Sequence, residues 1–139
     1  MNTTQQENKY RFGLQGQDWL EGKLVDFGYT LYKKNLKQIG LELDLVMYKH
    51  IKDKNLVLIH IIEVKTRRVL GHSVDLEGFN LKRKWHKVRQ IMFDIPDAVK
   101  EILRKSEVKT TITFDLAVVL DRGGRFSLHK YIQNVNLLL

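Results

Sequence analysis

The chain has 139 residues, 43% of them hydrophobic and 29% charged, with one proline and no cysteine. That length accommodates one domain with a real core, and the scarcity of proline argues against linkers or low-complexity stretches. Without cysteine there are no disulfides or thiolate metal sites, which fits a reducing cytoplasm. No run approaches the ~20 apolar residues of a membrane span, and no signal-peptide pattern is legible. Lys and Arg number 24 against 16 acidic residues, a net charge of +8, which draws a small protein towards polyanions, nucleic acid foremost.

Residues 1–9 are polar and expected to fray, leaving 10–139 as a single domain. A first helix is expected over 15–27, where Leu20, Leu24 and Phe27 recur at helical spacing and Gly28 offers a stop. Residues 29–34 alternate as a short strand. A second strand is expected over 41–48, then a charged turn over 49–55. Residues 56–64 form a β-branched, nearly continuous apolar run, the pattern of a strand buried on both faces. Irregular chain over 68–78 leads to a second helix over 80–93, with Leu81, Trp85, Val88 and Met92 as one inward stripe. A short third helix is expected after Pro96, with Val99, Ile102 and Leu103 inward. A hairpin closes the chain, strands 110–120 and 126–132 joined by Asp-Arg-Gly-Gly-Arg at 121–125. The order α-β-β-β-α-α-β-β defines an α/β class: a central sheet of about five strands with helices packed on it.

The second strand carries Glu42 and Asp44, and the third ends Ile61-Ile62-Glu63-Val64-Lys65. Side chains alternate along a strand, so Glu42 shares a face with Asp44, and Glu63 with Lys65. If the two strands pair, an acid from each meets at the sheet's edge beside a lysine. Such hard oxygens suit a divalent cation, and lysine beside them suits a phosphate under attack by water. Glu-x-Lys occurs three times, at Glu21-Lys23, Glu63-Lys65 and Glu107-Lys109. Only Glu63-Lys65 ends an apolar strand preceded by another strand carrying an acid, where charges are costly unless paired or functional. A plain surface ion pair with a solvated Asp44 is the competing explanation.

At these residues the chain resembles the YraN-like family, an endonuclease-like branch of the PD-(D/E)xK nuclease superfamily. The resemblance extends over about residues 13–119. The family's Gly-x-x-Gly-Glu on its first helix, then Gly-Tyr and Asn, reads here Gly13-Leu14-Gln15-Gly16-Gln17, Gly28-Tyr29 and Asn35. Gly-Glu-Ile-Asp-Leu-Ile becomes Leu41-Glu42-Leu43-Asp44-Leu45-Val46, and Val-Glu-Val-Lys-x-Arg becomes Ile62-Glu63-Val64-Lys65-Thr66-Arg67. Gly71, Lys82 and Phe114-Asp115 match later positions. The resemblance implies a restriction-endonuclease-like mixed sheet, Asp44, Glu63 and Val64 as ligands of Mg2+ or Mn2+, Lys65 as catalytic lysine, and Glu42 as accessory acid. It also implies a structured DNA substrate, by similarity to Holliday-junction resolvases. The chain departs from the family at Gln17, where a neutral amide replaces the first-helix glutamate, and at Leu41, which replaces a glycine. Glu21 shares the helix face of Gln17 one turn on, while Asp18 points about a quarter-turn away.

Lys82, Arg83, Lys84, His86, Lys87 and Arg89 surround the stripe of the second helix with no acid among them. Lys82, Lys84, Lys87 and Arg89, with Arg67, are the candidate nucleic-acid contacts. Trp85 falls in the core stripe, His60 in the apolar strand as a satisfied buried histidine, Asp115 is read as structural, and His72 is a candidate for facing substrate. The five histidines show no metal-ligand spacing. The expected activity is a divalent-metal-dependent endonuclease acting on structured or branched DNA. The alternative is a non-catalytic nucleic-acid-binding module on the same fold, and a scaffold protein with incidental charge is a third option. A homodimer would suit a two-fold symmetric junction.

Overall fold

A computed structural model describes residues 3–38, 40–68 and 81–139. Three helices, α1 (Thr3–Asp26), α2 (Leu81–Ile91) and α3 (Asp94–Leu103), pack on one sheet. Its strands are β1 (Thr30–Gln38), β2 (Leu41–Ile51), β3 (Leu56–Arg68), β4 (Lys109–Arg122) and β5 (Arg125–Ile132). They lie side by side in chain order, antiparallel except for β3 and β4, which run parallel. A parallel pair needs a crossover, and α2 with α3 lies between β3 and β4 in the chain. The expected element order and the flanked central sheet are both observed.

Side-chain alternation assigns each face. Val57, Ile59 and Ile61 of β3 join Leu81, Val88, Ile91, Ile95 and Val99 of α2 and α3 in one core. Ile62 of β3 and Leu45 and Met47 of β2 face α1 through Leu20, with Trp19 and Leu24 beside it. The sheet is buried on both sides, which is why β3 and β4 read as almost unbroken apolar runs. Trp85 stacks on Phe114 with ring centroids 5.7 Å apart, a core residue as its place in the stripe implied.

The boundaries differ where periodicity is silent. Helix α1 begins at Thr3 rather than near 15, because its first half is polar and shows no stripe. Its upstream part is anchored by Phe12, whose ring lies 5.0 Å from the Arg68 guanidinium at the end of β3. Phe27 lies past the end of α1 and is exposed rather than inward. Helix α3 starts at Asp94, before Pro96, since a proline in the first turn sacrifices no helical hydrogen bond. It buries Ile95 and Val99 and leaves Ile102 exposed, contrary to the expected inward set. In the last hairpin the strands extend through Arg122 and from Arg125, leaving a tight turn at Gly123 and Gly124. Both turn glycines have positive φ, and Asp121 Oδ1 accepts the Gly124 N–H at 2.7 Å. The expected irregular segment, with Gly71 and His72, lies outside the described residues apart from Arg68.

Candidate active site in a split of the sheet

The β2–β3 ladder runs from Ile51 opposite Leu56 to Leu45 opposite Ile62, and ends there. Beyond that point β2 stays paired with β1 as far as Gln38 and Leu41, while β3 stays paired with β4 as far as Arg68 and Asp121. The sheet therefore parts between β2 and β3. Asp44 and Glu63 are the first residues past the last pair, one on each lip.

Alternation in β2 slips at this place. Leu41 and Leu43 face the α2–α3 side, whereas Leu45 and Met47 face α1. Asp44 sits at the slip, and its Oδ2 accepts the Val64 N–H at 2.9 Å. Where the ladder stops, the Asp44 carboxylate thus satisfies a backbone donor of β3 that would otherwise be left without a partner. On the neighbouring strand, Asn35 has φ 51 and lies between the pairs Lys34–Leu45 and Leu36–Leu43, beside Asp44. Asparagine is among the few non-glycine residues that adopt this left-handed geometry readily.

Glu63 is 5% exposed, on the α2 side of β3. Lys65, two residues on, places Nζ 3.1 Å from Glu63 Oε1, and Lys84 of α2 donates to the other oxygen, Oε2. Lys65 and Glu63 share a face, as strand alternation requires. Lys84, read from the sequence as a nucleic-acid contact, has its side chain 18% exposed and is turned onto Glu63. Asp44 is raised from 3.8 to about 6, first by burial and then by the charge of Glu63, with Lys84, the Val64 N–H and Lys65 pulling the other way.

These groups meet the donor chemistry of Mg2+ or Mn2+, which take hard oxygens and keep several waters. Asp44 and Glu63 are two electrostatically coupled carboxylates in one place, the ligand type such a cation takes. Among the described residues no cluster of three or more His, Cys, Asp or Glu side chains forms, so a cation held here would rest on two carboxylates, the Val64 carbonyl and water.

Gln17 is 4% exposed on α1 and donates through Nε2 to Asn35 Oδ1 at 3.0 Å. It therefore reaches the strand that flanks Asp44, but through a neutral amide. Glu21 and Asp18, the acids near it on α1, both turn to Lys34, at 3.4 and 3.9 Å. Glu42 lies exposed, opposite Lys37 of β1, and is not drawn into the ion pairs of Glu63. Gly16 sets how closely α1 approaches. A Cβ there would fall 2.0 Å from Thr66 Oγ1 and 2.9 Å from Thr66 Cβ, so α1 seats Gln17 only because residue 16 has no side chain.

Lys82 and Arg89 are exposed, Arg89 bonding the His86 ring at 3.1 Å, and Lys87 reaches the Gly40 carbonyl at 3.3 Å. Arg67 donates to the Thr66 carbonyl at 3.0 Å.

His60 and Asp115 form a separate network on the α1 side. Asp115 is wholly buried and accepts from His60 Nδ1 at 2.8 Å, the Asn134 N–H at 3.0 Å and the Tyr131 hydroxyl. Thr113 Oγ1 lies 2.9 Å from the same ring nitrogen. Burial and the Asp115 charge raise both Tyr131 and Tyr29. The network joins β3, β4, β5 and the C-terminal turn, and within it His60 is the satisfied buried histidine expected from the sequence.

No helix among the described residues is long and apolar enough to cross a membrane. Neither the models of known protein families nor the curated proteins contain a match to this chain.

Proposed function

We propose that the protein is a divalent-metal-dependent endonuclease of the PD-(D/E)xK type acting on structured or branched DNA. The observation that carries this reading is the split of β2 from β3, which leaves Asp44 and Glu63 facing one opening with Lys65 on the Glu63 oxygen. A bound Mg2+ or Mn2+ would supply a water of lowered pKa and neutralise charge on the phosphate. Asp44 and Glu63 hold that cation, and Lys65 offers an ammonium to the charge that develops on the phosphate. Lys82, Lys87 and Arg89 on α2 and Arg67 after β3 attract the DNA backbone, in keeping with the net charge of +8.

A binding module that does not cut is the second reading, and Gln17 favours it. It is buried in the position of the family's helix glutamate and committed to Asn35, which leaves the site with one negative charge fewer. The test is cleavage of labelled four-way junction, flap, linear duplex and single-stranded DNA with Mg2+ or Mn2+, beside Glu63→Ala and Lys65→Ala. Metal-dependent cutting that disappears in both variants supports the nuclease. Tight, salt-sensitive binding by a wild type that cuts nothing supports the binding module instead.

A further inference from the structure

We infer that Lys84 is an exchangeable internal cation: it holds Glu63 while no divalent metal is bound, and transfers to a substrate phosphate when one binds. The inference rests on the nuclease reading of the cleft and concerns its regulation by substrate.

Glu63 is a nearly buried carboxylate with an ammonium on each oxygen, Lys65 on Oε1 and Lys84 on Oε2. The two lysines differ in origin. Lys65 is on the same strand two residues away, so its position follows from β3 itself. Lys84 comes from the first turn of α2, a helix whose other charged residues are all basic. A long side chain reaching inward from such a helix leaves a face where it would be repelled and enters one where it is attracted. With both lysines in place, the formal charges of Asp44, Glu63, Lys65 and Lys84 cancel.

That balance sets the order of events. A divalent cation entering the neutral cluster would make it strongly positive, and the ammonium that would give way is Lys84, which reaches Glu63 from another element, whereas Lys65 is held there by β3 itself. Lys84 has a four-carbon stem and a freely rotating head, and it stands on the helix whose Lys82, Lys87 and Arg89 would attract a phosphodiester. A phosphate bringing negative charge gives Lys84 a new partner as Glu63 passes to the cation. Metal and nucleic acid therefore bind with positive coupling, and Lys84 disfavours loading of the empty cleft by metal alone.

The test is Mn2+ binding, followed by electron paramagnetic resonance of the free ion, for the full chain, Lys84→Met and Glu63→Gln. Each is titrated alone and with a short linear DNA duplex. Wild type is expected to bind Mn2+ about tenfold more tightly with the duplex present, within the usual range of coupling between sites. Lys84→Met is expected to bind Mn2+ about tenfold more tightly than wild type without DNA, and to lose most of the gain on adding it. Lys84→Gln provides the same comparison should the methionine variant be poorly folded. Equal affinity of wild type and both Lys84 variants, or an unchanged DNA effect, overturns the exchange while leaving the metal site standing. Mn2+ bound by none of the proteins, or equally by Glu63→Gln, overturns the nuclease reading along with it.

Discussion

Replacing Asp44 with Asn should make the metal-free protein more stable at neutral pH. The Asp44 carboxyl is raised from 3.8 to about 6 by burial and by Glu63. A group bound more tightly to its proton in the folded state leaves the folded protein with more protons than the unfolded chain between those two values. Stability therefore falls as pH rises from about 4 to about 6, and the cost of the charge is complete above that. At about 1.4 kcal/mol per unit, a rise of roughly two units corresponds to about 3 kcal/mol. Asn keeps an oxygen for the Val64 N–H but carries no charge, so it recovers part of this, on the order of 1–2 kcal/mol. Urea unfolding of wild type and Asp44→Asn between about pH 4 and pH 8 measures the difference. The gap should widen through the interval and level off above about pH 6. A gap that does not change with pH, or an Asn variant less stable at pH 8, would refute the account of the cleft as a charged site maintained against stability.

Gly16→Ala forces a methyl group into Thr66, whose branched side chain has little room to turn. A loss of about 1–3 kcal/mol in urea unfolding is expected, and weaker DNA binding should accompany it as Gln17 shifts. Asp115→Ala leaves His60, Tyr131 and the Asn134 N–H without their acceptor in a wholly buried place. It should cost about 3–5 kcal/mol, and a loss under about 1 kcal/mol would mean that the network is not structural. Lys82→Ala with Arg89→Ala removes two exposed charges of α2 and should lower the slope of log affinity against log salt by about two for duplex DNA. An unchanged slope would place the DNA path elsewhere.

The sequence by itself determined the order of the elements and the covered faces of those with a strong apolar pattern. Period-two and period-3.6 patterns report which side of each strand or helix is covered, and they place β3, β4 and the α2 stripe well. They also single out Glu63 and Lys65, since charges at the end of an apolar strand stand out against its pattern. Asp44 was legible only as an acid on the strand before it, and Gln17 and Asn35 only through a family resemblance.

Tertiary structure decided the rest, because periodicity carries no record of where a ladder ends or which element lies across from it. The end of β2–β3 pairing at Leu45 and Ile62 turns two strand acids into a cleft, and the slip at Asp44 breaks the alternation from which its face was inferred. Lys84 is one of six basic positions in sequence, and only the packing of α2 over β3 separates it from the others by bringing it to Glu63. Gly16 looks like an ordinary helix glycine until α1 lies on Thr66. Each of these depends on contacts between residues far apart in the chain, where local patterns of hydrophobicity and propensity have no reach.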